Sequence, residues 1–300
     1  MTGWAPAPPS ASSTPLPGSP PHPAGGDFVI GLLRWATAPD AASLAERGLP
    51  VVLTTPGSPR LTLLARSAEE FVHRALAEEE AAGGGGGASS PYAAAVGPAD
   101  SPYTPGDVPA GTAPGPSPAL DAHLVRRVGV FPDVAERLIA RHLGRGDTMS
   151  ALITGEWYSR KGAFPGWGRP YEAAARVYAS LGRDEEARDC ARAALALPWW
   201  GLEHGFAAVA ALAQLPPTPG GVRGALAAAE AGAGGLPVSA RTDGQAAAEA
   251  AGAALDDVSG GGVDGEGRVD WAAAVGPAAD ALERAGLGEA AAFVRAAAAG

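Results

Sequence analysis

The residues between Pro170 and Pro198 alternate between apolar and polar positions with the period of an α-helix. Pro170 suits the first position of a helix, because its missing N–H would have no partner there. Gly182 ends this helix, and Asp184 can cap a second one that stops at Pro198. Two helices joined by so short a turn lie antiparallel. The inner stripes are Tyr171, Ala174, Ala175, Tyr178 and Leu181 in the first helix, and Ala187, Ala191, Ala194 and Leu195 in the second.

The preceding stretch repeats this layout, with one stripe between Pro132 and Gly146 and another after it. These two stripes are Val134, Ala135, Leu138, Ile139 and Leu143, followed by Met149, Leu152, Ile153 and Trp157. Gly146 and Gly182 are 36 residues apart, close to the period of about 34 residues in tetratricopeptide (TPR) repeats. The pattern LGRDEEA, followed by small residues and a closing proline, resembles one TPR unit. We therefore predict two stacked helical hairpins and a third that begins at Gly201.

The N-terminal part of the chain predicts a small mixed module. Residues 28–36 are apolar enough for a short helix, and residues 51–55 and 60–65 flank a Pro-Gly-Ser-Pro turn that suggests a β-hairpin. Ser67 stands three residues before a glutamate, a capping box that opens a helix to about Ala82. An isolated hairpin is barely stable, so we expect this module to pack on the helical core.

Composition separates these ordered stretches from segments rich in Gly, Pro and Ser, which we expect to be disordered. We accordingly predict a mainly α fold: a short TPR-like stack of antiparallel helical hairpins, a small N-terminal α+β module and long disordered linkers. The predicted segments are a disordered tail over 1–26, the α+β module over 27–82, a Gly/Pro-rich linker over 83–118, the TPR-like core over 119–215, a low-complexity linker over 216–268 and a C-terminal helical hairpin over 269–300.

Charge and cysteine content narrow the function classes. The net charge is −10 and no basic stripe runs through the sequence, which argues against DNA binding. Several arginines lie near Arg137, but acidic residues lie beside them, so we interpret this stretch as a solvated helix face. An RNA-binding face stays a minor alternative. Cys190 is the single cysteine, so there is no internal disulfide and no zinc site built from cysteines. No apolar run approaches the 18 residues of a membrane span.

The loop between the two hairpins gathers aromatic side chains beside cations. Trp167 lies in the middle of AFPGWGRP, a segment made rigid by two prolines and two glycines. Rigid aromatic residues near arginine or lysine are what a protein-binding hot spot requires, although aromatic residues also fill gaps between alanine-rich helices. The candidate partner-binding residues are Trp157, Arg160, Lys161, Trp167, Arg169, Trp199 and Trp200.

No pattern in the sequence indicates a catalytic, metal or cofactor site. The five histidines lack metal-binding spacing, and the known nucleophile, phosphate-loop and dinucleotide motifs are absent. We therefore expect no cofactor and favour a non-catalytic scaffold that binds a partner protein. Two alternatives stay open. One is an enzyme or ligand-binding domain that uses the Trp167 loop as a pocket lid, with Glu156, Arg160 and Arg169 in the pocket, and the other is a permanent subunit of a large complex.

The run GEWYSRKGAFPGWGRPYE, followed by LGRDEEARDCARAALALPWW, resembles plant and green-algal plastid proteins with TPR-like helices that serve in the biogenesis of photosynthetic complexes. The resemblance implies a chloroplast stromal assembly factor for a thylakoid complex such as the ATP synthase or a photosystem. Arginine outnumbers lysine 21 to 1, a bias that fits a green alga and also fits other GC-rich genomes. The N-terminal tract lacks the arginines of a transit peptide, so a complete start would predict the cytoplasm instead.

Overall fold

The computed structural model describes most of the predicted ordered regions. The described residues are 28–35, 48–55, 58, 60–82, 103–104, 106–108, 117–160, 163–232, 250–254, 256–257 and 271–297. The predicted tail over 1–26 and most of the predicted linkers over 83–118 and 216–268 lie outside these residues. How the chain divides into domains stays a prediction.

A small sheet precedes a series of helices. The strands are β1 (Val29–Leu32), β2 (Val51–Thr54) and β3 (Thr62–Ala65). The helices are α1 (Ala68–Ala81), α2 (Pro118–His123) with a π-helical turn over Leu124–Val128, α3 (Pro132–Gly144), α4 (Thr148–Tyr158), α5 (Arg169–Ser180), α6 (Asp184–Leu195), a 3-10 turn over Trp199–Gly201, α7 (Phe206–Leu212), α8 (Pro219–Gly232), α9 (Trp271–Arg284) and α10 (Gly288–Ala297). The predicted fold class, mainly α with a small N-terminal α+β module, is confirmed.

The three strands form an antiparallel sheet in the order β1–β2–β3. The predicted β2–β3 hairpin is present, with Val52 opposite Leu63. The predicted helix over 28–36 is wrong, because Val29–Leu32 forms β1 and pairs with β2 in the register Gly31 opposite Val52. An apolar run this short does not distinguish a strand from a helix by periodicity, and pairing with β2 decides the outcome.

Helix α1 begins at the predicted cap. The Ser67 hydroxyl accepts a hydrogen bond from the Glu70 N–H at 3.1 Å. The Glu70 carboxylate returns to the Arg66 N–H, also at 3.1 Å, one residue earlier than in a usual capping box. Together these bonds join the end of β3 to α1.

Two antiparallel pairs, α3 with α4 and α5 with α6, follow one another in the chain, and α7 and α8 come after them. Gly146 and Gly182 both adopt a left-handed φ, +73° and +72°, and so turn the chain between the helices of these two pairs. The side chains of Ala175, Ala191 and Ala194 are fully buried, and their small size lets α5 and α6 approach closely. The two predicted stacked hairpins are therefore confirmed, whereas after Gly201 the predicted third hairpin is replaced by α7 and α8, which do not pair in the same way.

Two helix predictions need correction. The predicted inner stripe of α4 included Met149 and Ile153, but these side chains are 65% and 59% exposed. Helix α4 instead buries Ala151, Gly155 and Tyr158, the side that meets α3 and α5. The sequence pattern of the C-terminal hairpin predicts a first helix from Pro277, but α9 begins six residues earlier, at Trp271, and Pro277 lies inside it.

The sheet packs on the hairpin stack as expected. Trp35 and Leu63 share one core cluster with Ala135, Tyr158 and Trp167, so the sheet lies against α3, α4 and the loop that follows α4.

A chain of ion pairs supports this contact on the α1 side. Arg74 on α1 donates to both Asp133 carboxylate oxygens on α3, at 2.7 and 2.8 Å. Arg137 joins Asp133 to the fully buried carboxylate of Asp121, which also accepts from Arg141. Charged side chains of α1, α2 and α3 thus interlock. The predicted solvated arginine face is in part a paired one.

Candidate functional site

A groove crosses the first helices of the first two hairpins and reaches the segment before α7. It encloses about 450 Å³, including its open mouth. Ile139, Ala173 and Val177 give it an apolar floor, and charged side chains surround them. The complete lining is Glu136, Ile139, Arg169, Glu172, Ala173, Arg176, Val177, Glu203 and His204. First helices of stacked hairpins line the concave surfaces on which helical-repeat proteins bind partners.

One wall of the groove is fixed by Arg169, which begins α5 and is 12% exposed at its side chain. Its Nε and Nη2 atoms donate to the two Glu136 oxygens at 2.7 and 2.8 Å, and its Nη1 atom pairs with Glu203 at 2.6 Å. Tyr158 donates its hydroxyl to Glu136 at 3.1 Å. This wall joins α3, α4, α5 and the segment before α7.

The protonation states in this wall are fixed. Burial alone would lower the pKa of Arg169, but Glu136 and Glu203 outweigh burial and hold that pKa well above its usual value. Burial, and then the Glu136 carboxylate, raise the pKa of the Tyr158 hydroxyl well above its ordinary range. Both groups therefore remain protonated donors at neutral pH. They can hold and orient groups, but they are poorly suited to transfer protons.

Glu172 anchors the far end of the groove. Its side chain is 2% exposed, and its carboxylate accepts hydrogen bonds from the backbone N–H groups of Glu203 and His204 at 2.7 and 2.9 Å. The same carboxylate lies 2.8 Å from the His204 Nδ1 atom. Because Glu172 fixes the backbone at Glu203, the Glu203 carboxylate is positioned to meet Arg169.

A second cleft lies between the sheet and the loop after α4. It encloses about 630 Å³, including its opening. Its walls are mostly apolar, with Arg66 and Glu70 paired on one side. Trp35 lines it, and the buried Trp35 Nε1 has no hydrogen-bond partner among the described residues. The lining comprises Trp35, Pro50, Leu63, Arg66, Glu70, Ala163, Phe164, Pro165 and Trp167.

The structure places the predicted tryptophans mainly in the core. Trp167 and Trp199 are each 3% exposed, and Trp200 is half-buried. Trp167 contacts Trp35 and Trp200 with ring centroids 6.2 and 5.1 Å apart. Trp199 packs on Phe206 at 4.3 Å in a different cluster. The structure therefore favours the gap-filling interpretation of Trp167 and Trp199, which present almost no surface to a partner.

The remaining predicted residues are dispersed. Trp157 is half-buried on α4, Arg160 is exposed just after it, and Arg169 lies in the groove wall. Lys161 lies outside the described residues. The predicted pocket of Glu156, Arg160, Trp167 and Arg169 does not form as described, because Glu156 and Arg160 point to solvent while Trp167 and Arg169 line different cavities. Partner binding by the seven predicted residues stays a prediction.

Sequence reasoning missed the acidic half of the groove. Glu136, Glu172 and Glu203 are separated widely along the chain and meet only through the packing of α3 and α5. Glu172 lies in the first turn of α5, where an acidic residue usually indicates a solvated helix start. Only a fold-level model of the stacked hairpins would have identified them.

Two kinds of feature, a metal site and a membrane-spanning helix, are not found among the described residues. Within them, no group of three His, Cys, Asp or Glu side chains comes together in a way that could hold a metal ion. No helix in the described part of the chain is both long and apolar enough to cross a membrane.

Two segments of the chain are similar in sequence to known protein families. Residues 19–127 match the family model described as "PAB N-terminal", and residues 132–217 match the one described as "PAB middle domain". A relative in Arabidopsis thaliana, named "Protein IN CHLOROPLAST ATPASE BIOGENESIS, chloroplastic", is 37% identical over 186 residues. The match covers 62% of this chain and 52% of that protein, so the chain spans about half the length of its curated relative. No solved structure matches the chain.

All residues that line the groove lie within the second of these matches, and the sheet lies within the first. The predicted resemblance to plastid proteins of photosynthetic-complex biogenesis is confirmed. Residues 19–127 and 132–217 are thus similar in sequence to the PAB N-terminal and PAB middle-domain models, respectively.

Proposed function

We propose that this chain is a non-catalytic scaffold that acts in the chloroplast stroma during biogenesis of the chloroplast ATPase. The observation that carries the proposal is its 37% identity, over 186 residues, to the Arabidopsis protein named for that process. The scaffold role is supported by the fold, since stacked helical hairpins present long surfaces to other polypeptides.

The groove of α3 and α5 is the proposed partner-binding surface. Its floor of Ile139, Ala173 and Val177 suits apolar side chains of a bound segment, and its rim offers the half-exposed Glu203 carboxylate and the exposed His204. Because Arg169 already binds two carboxylates, the rim is formed before a partner arrives. A preformed surface loses less conformational entropy on binding.

Depletion of the protein in its source organism tests the process. We expect the assembled chloroplast ATPase to decrease on native gels, the photosystems to change little, and wild-type protein to restore the ATPase. A selective loss of a photosystem with normal ATPase would overturn the proposed complex, and normal levels of all of them would overturn the assembly role.

A groove-filling variant tests the surface. Ala173→Arg introduces a long side chain into the floor, whereas Ala228→Arg makes the same change at an exposed position on α8. After circular dichroism shows equal helix content, we expect Ala228→Arg to restore ATPase assembly in depleted cells and Ala173→Arg to fail. Equal rescue by both variants would exclude the groove as the binding surface.

The cleft beside Trp35 favours a second candidate, a small-ligand-binding domain. Its apolar walls and the buried Trp35 Nε1, which lacks a partner among the described residues, suit a ligand with an aromatic or aliphatic body and one acceptor atom. A thermal-shift screen of plastid metabolites tests it. A compound that raises the melting temperature of wild type but not of Trp35→Phe would support this candidate.

A further inference from the structure

The two edges of the small sheet differ. Beyond β3, the Leu61 N–H donates to the Trp200 carbonyl at 2.9 Å, so the chain next to that edge is tied to the 3-10 turn. Beyond β1, no described residue hydrogen-bonds to the outward-facing backbone. The sheet therefore has one open edge in the part of the chain that the structure describes.

The register identifies which residues of β1 face outward. The Leu33 N–H donates to the Pro50 carbonyl at 2.9 Å, which fixes Leu33 as facing β2. Because hydrogen-bonded and non-hydrogen-bonded pairs alternate along an antiparallel ladder, Gly31 also faces β2, whereas Ile30 and Leu32 turn their N–H and C=O groups to the open side. Two residues thus offer a complete set of donors and acceptors to a further strand.

The side chains on this strand reinforce the edge. Val29, Ile30 and Leu32 are 51%, 45% and 56% exposed, and no charged residue or proline interrupts the run from Val29 to Leu33. Natural edge strands are usually protected by lysine, proline or a bulge. Beside Gly31, no atom lies within 4 Å of the position that a Cβ would occupy, so that face of β1 is open as well.

We propose that β1 accepts an extended segment of a partner polypeptide, with β-branched side chains and no negative charge, as a fourth strand of this sheet. The bound segment would exchange hydrogen bonds with the backbone of Ile30 and Leu32 and place apolar side chains beside those of β1. Strand addition of this kind obtains affinity from the main chain and tolerates varied sequences.

A second copy of this chain fits the edge less well. A pair of four-residue strands buries only a small area, whereas a stable dimer interface buries at least about 1,000 Å². Two copies would also bring together two chains that each carry a net charge of −10, and this repulsion opposes self-association. A partner segment without negative charge avoids this repulsion, and its binding can be transient, so it does not need the area of a stable dimer.

The test uses a synthetic peptide and does not depend on the proposed function or on the groove. The probe is a fluorescein-labelled peptide of alternating threonine and valine with a terminal lysine, and its match is the same peptide N-methylated at every second residue. We expect saturable binding of the probe by fluorescence anisotropy, loss of binding on N-methylation, and slower hydrogen exchange of the Ile30 and Leu32 amides when the probe is bound.

Two variants locate the site. Ile30→Pro removes one outward N–H while leaving the β1–β2 ladder intact, and should weaken probe binding by about tenfold, the upper end for one lost backbone hydrogen bond. Leu32→Lys places a charge on the edge and should weaken binding similarly. Met149→Lys is the control, since it makes the same change at an exposed residue on α4, and should bind like wild type.

Several results would overturn the proposal. Absence of saturable binding, equal binding of the N-methylated peptide, or equal weakening by Met149→Lys would each exclude strand addition at β1. A wild-type dimer in sedimentation velocity that Leu32→Lys dissociates would assign the edge to a second copy instead. If Ile30→Pro does not fold, Leu32→Lys and the amide exchange still decide the outcome.

Discussion

Replacing Arg74 by methionine should destabilise the protein strongly, although the residue lies far from the groove. The Arg74 side chain is 6% exposed, pairs with Glu78 and both oxygens of Asp133, and lies 4.8 Å over the Phe131 ring. Methionine retains most of the volume and removes the charge. The cost therefore measures the loss of the ion pairs and of the cation–π contact.

The expected loss of stability depends on which partners Asp133 keeps after the substitution. Removing one partner of a buried pair costs about 3–5 kcal/mol. Asp133 keeps Arg137, which donates to it at 2.6 Å, so we expect the lower end, about 3 kcal/mol. Arg34→Met is the matched control. Its ion pair with Glu289 is exposed, at 47% and 83% of the two side chains, and such pairs contribute about 0–1 kcal/mol.

Urea unfolding followed by circular dichroism at 222 nm measures both changes. If the free energy of unfolding decreases by about the same small amount in Arg74→Met and Arg34→Met, the reasoning is refuted. A decrease of about 3 kcal/mol in Arg74→Met alone would show that the contact between α1 and α3 depends on a buried charge.

The other predictions concern pH and close packing. Burial would raise the pKa of Asp133, but its arginine partners lower that pKa to about 2, below the value in the unfolded chain. The ionised Asp133 should therefore stabilise the fold above about pH 4, and this stabilisation should disappear as the pH falls through about 2. Melting temperature measured against pH checks this. Burial raises the pKa of Asp256 to about 7, so its ionisation should reduce stability as pH rises from about 4 to about 7, and Asp256→Asn should raise the melting temperature at pH 8 but not at pH 4. Gly166→Ala should lower the free energy of unfolding in urea more than Gly182→Ala does. Both positions have a left-handed φ, but only a Cβ at residue 166 would lie 2.8 Å from the Trp35 ring. Equal losses in the two variants would refute that contact.

The helices were predictable because their signals are local. The proline in the first turn of α5, the glycine at 182 and the capping Ser67 act within one or two turns, and α5 and α6 each begin within one residue of the predicted position. The hairpin arrangement follows from short connections, which leave neighbouring helices no choice but to lie antiparallel.

Side-chain environments were less predictable because they depend on distant partners. Met149 and Ile153 are spaced like one apolar stripe of a helix, but they do not face the core. The small residues Ala151 and Gly155 face it instead, because they let α4 approach its neighbouring helices closely. Trp167 suited a surface loop by its local sequence, yet a residue in the N-terminal module, Trp35, covers it. Neither outcome is encoded within one helix or one loop.

The contact between the sheet and the hairpin stack also constrains how the chain acquires its structure during synthesis. Leu63 leaves the ribosome before Trp167, the residue whose cluster it joins. At about 5–20 residues per second, the later residue follows on the order of ten seconds afterwards. During that interval the face of β2 and β3 that carries Val52 and Leu63 lacks part of its native cover, and the nascent chain has to avoid aggregation without it. A protein that fits the role of an assembly factor would thus itself pass through a stage at which a chaperone is useful.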